Sequence, residues 1–170
     1  MADDTPQAAP AAGNGTQPEV TLQSVYIKDL SFEAPKGPFV PAQNQDPKMA
    51  INLNTSSSVV GQDIHEVVLT ITLEAKNGDV PVYVVEVKQG GVFVVRGFAA
   101  DDVRRILGAF APNVLFPYVR QTVSDVVTKG GFPPFFLPPV NFDALYERSR
   151  QEQAARQQAA AGDAPSAPVN

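Results

Sequence analysis

The chain has 170 residues with 44% hydrophobic and 18% charged side chains, a net charge of −5, a pI near 4.8, no cysteine and a single histidine. This allows one domain with a real core and excludes disulfides, thiol nucleophiles, zinc-thiolate sites and any two-histidine metal motif. The acidic balance argues against nucleic acid or an anionic membrane as partner. No stretch approaches the roughly 20 apolar residues of a membrane span, and the N-terminus lacks the basic and apolar regions of a signal peptide. A cytoplasmic protein without direct membrane insertion is expected.

Residues 1–19 are, after Met1, almost entirely Ala, Pro, Gly, Gln, Thr and acids without apolar periodicity, the composition of a disordered tail. The folded unit is expected over 20–150, followed by a mobile tail at 151–170 that is helical at its start because Glu, Arg, Gln and Ala dominate there. At the front, Val20 and Leu22, then Val25 and Ile27, then Leu30 and Phe32 alternate, but the phase slips twice, which one strand carrying bulges explains. Met49, Ile51 and Leu53 give a second, weaker strand. Glu66 to Glu74 is the clearest one, with Val67, Leu69, Ile71 and Leu73 on a single face. Val80 to Arg96 is dense in Val, Tyr and Phe and follows a Gly78-Asp79 turn. Its internal Gly90-Gly91 pair reads as a hairpin turn or as a bulge in one long strand.

After Ala99 the apolar spacing becomes helical, from Val103 through Ile106, Leu107 and Phe110 to Val126. Asp101 and Asp102 suit the first turn. Pro112 predicts a break around Ala111-Pro112-Asn113, then a main helix to about Lys129 with Pro117 near its first turn. Gly130-Gly131 supplies a stop, Phe132 to Pro139 reads as an extended apolar connector, and Asn141 is placed to cap a final helix from Phe142. Strands first and helices last make an α+β domain with helices covering one sheet face.

No Walker loop, Gly-x-Gly-x-x-Gly, Gly-x-Ser-x-Gly or His-Glu-x-x-His occurs in the chain, and His65 has no paired nucleophile. No catalytic residue, no metal site and no cofactor is expected, and the protein reads as a binder rather than an enzyme. Apolar residues stand instead where rigid cores are seldom built: Phe39 in a Pro- and Gly-rich loop, and Phe132, Phe135, Phe136 and Leu137 in the connector. Together with Phe32, Phe116 and Phe142 these rings are candidates for a hydrophobic groove that accepts apolar peptide. Alternation sends Asp29, Ser31 and Glu33 to one face of the first strand, where Glu66, Glu74 and Glu86 join them if the registers agree, giving an acidic surface for a basic partner. In the Val80–Arg96 strand Tyr83, Val85, Val87 and Gln89 share one face while Val82, Val84, Glu86 and Lys88 share the other. A strand apolar on both sides is central and doubly covered, or it meets another subunit; oligomerisation is the favoured reading.

Four ordered blocks carry a family resemblance: Tyr26-Ile27-Lys28-Asp29-Leu30-Ser31-Phe32-Glu33-Ala34-Pro35, Glu86-Val87-Lys88-Gln89-Gly90-Gly91-Val92-Phe93, Leu107 to Tyr118, and Pro139 to Tyr146. Over about residues 20 to 147 the chain resembles SecB, the bacterial protein-export chaperone. The resemblance implies a four-stranded antiparallel sheet with two main helices, assembled as a homotetrameric dimer of dimers. It implies an ATP-independent holdase that keeps unfolded precursor proteins translocation-competent and delivers them to the SecA ATPase. Asp29, Glu33, Val84 and Glu86 match family positions that contact SecA, Val85, Val87 and Gln89 match positions at the tetramer-forming interface, and Gly90-Gly91 becomes a bulge. The competing reading is an acidic structural adaptor that bridges folded proteins.

Overall fold

The computed structural model describes residues 17–39 and 47–162, with side chains to residue 158; expectations for the two tail ends and for Val40 and Pro41 lie outside the described residues. Four long strands, β1 (Glu19–Glu33), β2 (Lys48–Gly61), β3 (Ile64–Asn77) and β4 (Val80–Arg96), form one antiparallel sheet in the order β1-β4-β3-β2. The strands β2, β3 and β4 follow one another through two tight turns, Gly78 taking a left-handed φ of 59° in the second. β4 therefore lies between β1 and β3, with one face under the helices and the other left open within the subunit, so it is central but not doubly covered.

β1 carries two register shifts against β4, between Leu22 and Ser24 and between Ile27 and Asp29. They coincide with the two slips of its hydrophobic phase, because one extra residue inverts the alternation that follows. The Gly90-Gly91 expectation is corrected: both ladders of β4 run through the pair without a shift, so it forms neither a hairpin nor a bulge. Its glycines instead admit neighbours from either side of the sheet. A methyl on Gly90 would stand 2.5 Å from the Tyr26 ring, and one on Gly91 2.7 Å from Leu115.

The helical region is continuous from Ala100 to Lys129: α1 (Ala100–Arg105), a π-helical turn (Ile106–Phe110) and α2 (Ala111–Lys129). The break expected at Pro112 is absent. The Ala111 N–H donates to the Ile106 carbonyl, five residues back, and the widened turn accommodates a proline that lacks the next donor. Pro117 sits inside α2, and the Asn113 residue whose carbonyl it leaves without an intrahelical donor is on the exposed side. The extended connector leads to α3 (Phe142–Gly162), capped as expected by Asn141, whose Oδ1 accepts the Ala144 N–H at 3.0 Å. Tyr146 of α3 lies flat on the π turn at Gly108, where a Cβ would come within 2.6 Å of its ring.

The core lies between the sheet and α2. Val67, Leu69, Ile71 and Leu73 of β3 and Val85, Val87 and Phe93 of β4 pack against Leu115, Val119, Val123 and Val127 of α2, all essentially inaccessible to water. Burying side chains of this size contributes roughly 1.5–3 kcal/mol each before ordering costs.

Candidate functional site

The sheet face away from α2 is uncovered within the subunit, and its register defines a graded surface. Across β1, β4 and β3 the successive rows are Thr21, Val94 and Ile64; Ser24, Val92 and Glu66; Tyr26, Gly90 and Val68; Asp29, Lys88 and Thr70; Ser31, Glu86 and Thr72; Glu33, Val84 and Glu74. One end is apolar and the other acidic. The alternation proposed for Asp29, Ser31 and Glu33 holds, and Glu66, Glu74 and Glu86 do share their face. Asp29, Glu33, Val84 and Glu86 converge on a single corner, with Val84 flanked by Glu33 and Glu74.

Lys88 sits between two of these acids, 2.9 Å from Asp29 Oδ2 and 3.1 Å from Glu86 Oε1, while Glu74 pairs with Lys76 at 2.7 Å. Glu33 makes no ion pair among the described residues, so the corner stays net acidic. The Lys88 ammonium, hydrogen-bonded to Asp29, holds that carboxyl below the usual aspartate range, and Asp29 and Glu86 in turn raise Lys88. Thr72 Oγ1 donates to Glu86 at 3.3 Å. Further up the face the Tyr26 ring crosses β4 above Gly90 and its hydroxyl donates to Glu66, which also receives Lys28 Nζ at 2.7 Å. Lys28 first, then Tyr26, lowers Glu66, and the bond to Glu66 together with burial pushes the Tyr26 hydroxyl up to about 12.

The seven candidate rings do not form one groove. Phe132 (8% exposed) is core, its ring tilted against Tyr83 at 4.9 Å beside the half-buried Phe32. Phe116 and Phe142 are also mostly buried and meet edge to face at 5.7 Å. These three are corrected from open anchors to packed residues: Phe132 turns inward from the connector onto Tyr83, while Phe116 of α2 and Phe142 of α3 pack against each other. Phe39 (88%) and Phe136 (62%) are truly exposed, and Phe135 is intermediate. Two clefts reach the buried rings. An edge of Phe116 joins Phe136, Pro117, Arg120, Ser124 and Asp125 around a cleft of about 490 Å³. Phe142 contributes to a second of about 590 Å³ between β2 and α3, with Leu53, Leu107, Leu145 and Tyr146.

Val85, Val87 and Gln89 lie under α2 in the same subunit, at most 2% exposed, so they have no surface to offer another chain. Apolar surface left open on that side includes residues outside the seven candidate rings: Ile27 and Leu30 of edge strand β1, opposite Gln89 and Val87, together with Phe110 and Tyr118 on the helical layer. Their exposure follows from α2 crossing β4 and β3 and barely reaching β1. His65 is a half-buried strand residue opposite Phe93 and Val59. No cluster of three metal-ligating side chains is assembled among the described residues, nor is any helix there long and apolar enough to cross a membrane.

A sheet with one sealed face and one acidic face, bordered by exposed rings, defines an α+β protein organised for holding other polypeptides. Residues 13–153 match the family of the preprotein translocase subunit SecB. The protein-export protein SecB of Ectopseudomonas mendocina is 44% identical over 151 residues, covering 89% of this chain and 94% of its own, and that of Nitrosococcus oceani is 42% identical over 165 residues, covering 96% and 98%. The chain belongs to the SecB family and is a chaperone of protein export. Its fold is shared with a SecB-like chaperone of Mycobacterium tuberculosis solved in complex with a ChAD peptide from an antitoxin, at a TM-score of 0.61 and 12% identity over 71% of this chain and 90% of that one.

Proposed function

We propose that the protein is a cytoplasmic, ATP-independent holdase and not an enzyme. It captures unfolded precursors on the apolar surface of its helix side and passes them to SecA from the acidic corner of the open sheet. The observation that carries this reading is the separation of the two surfaces: Phe136 stands exposed on the Phe116 cleft and Phe39 is exposed in the loop after β1, while Asp29, Glu33, Val84 and Glu86 are gathered on the open face of the sheet. An unfolded client still exposes the side chains that such a surface accepts, whereas a folded protein has buried them. A few anchors at roughly 1.5–3 kcal/mol each give modest affinity once ordering is subtracted.

Assembly supplies the remainder. A homotetramer, a dimer of dimers that covers Ile27, Leu30, Phe110 and Tyr118, accounts for apolar surface left open in one subunit and links several client sites, raising avidity by roughly 10² to 10⁴. Val85, Val87 and Gln89 then act on assembly indirectly, by seating α2. The test is a slow-folding precursor diluted from denaturant with the purified protein and no nucleotide. Delayed refolding supports the holdase; refolding at the unassisted rate contradicts it and favours an adaptor that binds folded proteins only.

A further inference from the structure

We propose that Tyr26, Gln89 and Glu66 are positioning residues: they clamp the middle of β1 across β4 and so fix Asp29 on the open face, a role that rests on the docking reading above. Ser24 to Ile27 lie between the two bulges of β1, and Lys28 is the residue that the second bulge leaves without a partner on β4. Losing that bulge would pair Lys28 with Lys88 and Asp29 with Val87, turning Asp29 toward the helix side and Leu30 toward solvent, because side chains alternate with a period of two. Presentation of the acidic corner therefore depends on keeping the extra residue ahead of Asp29.

Every tie in this region grips the bulge or the residues beside it. From the helix side, Gln89 Nε2 donates to the Tyr26 carbonyl at 2.7 Å. From the open side, the Tyr26 hydroxyl reaches over Gly90 to Glu66 of β3, and the bulged Lys28 binds the same carboxylate at 2.7 Å. The bulge is thus held from both faces of β4. Packing alone does not account for Gln89: it is 2% exposed between Ile27 and Leu69 of the neighbouring strands, and its Oε1 is buried without a partner among the described residues. Leaving a buried oxygen without a donor is costly, and an apolar side chain there would avoid that cost.

The experiment uses full-length Tyr26→Phe, Gln89→Met and the double variant. The readout is the carbon-13 titration of the Asp29 carboxyl, assigned with Asp29→Asn, alongside binding of purified SecA. Asp29 faces Lys88 and Glu86 from β4 and has Lys28 beside it on β1; the next strand, β3, presents Thr70 and Thr72 in the same rows. In the double variant the Asp29 titration moves up toward the ordinary aspartate range, and SecA binding weakens about two- to fivefold, as for loss of an exposed ion pair. Should the double variant not fold, Tyr26→Phe, which removes a single oxygen, gives the same readout at smaller amplitude. An Asp29 titration identical to the parent's in a folded variant overturns the clamp. A shifted Asp29 with unchanged SecA binding upholds the clamp and contradicts the docking reading instead.

Discussion

The helix-covered face of the sheet carries Val67, Leu69, Ile71, Leu73, Val85 and Val87, while the open face carries the residues in between, Glu66, Glu74, Glu86 and Lys88, together with Asp29 of β1. The first is held by dispersion and exclusion of water, where a missing methylene leaves a void. The second is held by ion pairs that are individually weak but fix which charges face outward. Apolar packing dominates one side and charge the other, and β4 contributes alternate residues to both.

That contrast ranks the effects of substitution. Leu115→Ala, at the centre of the sealed face, is expected to cost about 2–5 kcal/mol, read from the urea midpoint; a loss below about 1 kcal/mol would show that the face is not close-packed. Gly90→Ala, where the open face first becomes crowded, is expected to cost about 1–3 kcal/mol, much of it restored by adding Tyr26→Ala. An additive double variant breaks the link between ring and glycine. Asn141→Ala removes the cap that starts α3 and is expected to cost about 1 kcal/mol, with the Phe116–Phe142 contact retained by aromatic proton NMR.

The smallest effect is in acid. Glu66 is lowered by Lys28 and Tyr26, so its contribution is fully present above the unfolded glutamate range and disappears as pH falls through the lower folded value. Glu66→Gln should flatten the acid limb of the stability profile by a few tenths of a kcal/mol, as for a pair near the surface. A limb as steep as the parent's would remove Glu66 from the account.

Much of this fold is legible in the residues themselves. The slips between Leu22 and Val25 and between Ile27 and Leu30 betray the bulges because alternation counts every inserted residue. Asn141 carries its own cap, whereas apolar side chains on both faces of Val80 to Arg96 do not mean double cover, since β4 is an inner strand with one face open within the subunit. Other features depend on partners distant in the chain. The need for Gly90 comes from Tyr26 and that for Gly108 from Tyr146, which local pattern does not register. Pro112 reads as a break because apolar spacing does not distinguish a four-residue turn from a five-residue one. In the connector Phe132 and Phe136 read alike, yet only the course of an extended chain over Tyr83 decides that one turns inward and the other outward. The acidic corner was visible because a strand's period assigns its faces directly.

The central claim is that capture and delivery use different surfaces, and paired binding titrations of two folded double variants test it most directly. Asp29→Lys with Glu33→Lys is expected to abolish measurable SecA binding while leaving affinity for an unfolded precursor unchanged. Phe39→Ser with Phe136→Ser is expected to weaken precursor binding about tenfold or more, in line with loss of two exposed anchors, and to leave SecA binding intact. Both affinities falling together in either variant, or precursor binding untouched by loss of the two rings, would contradict it.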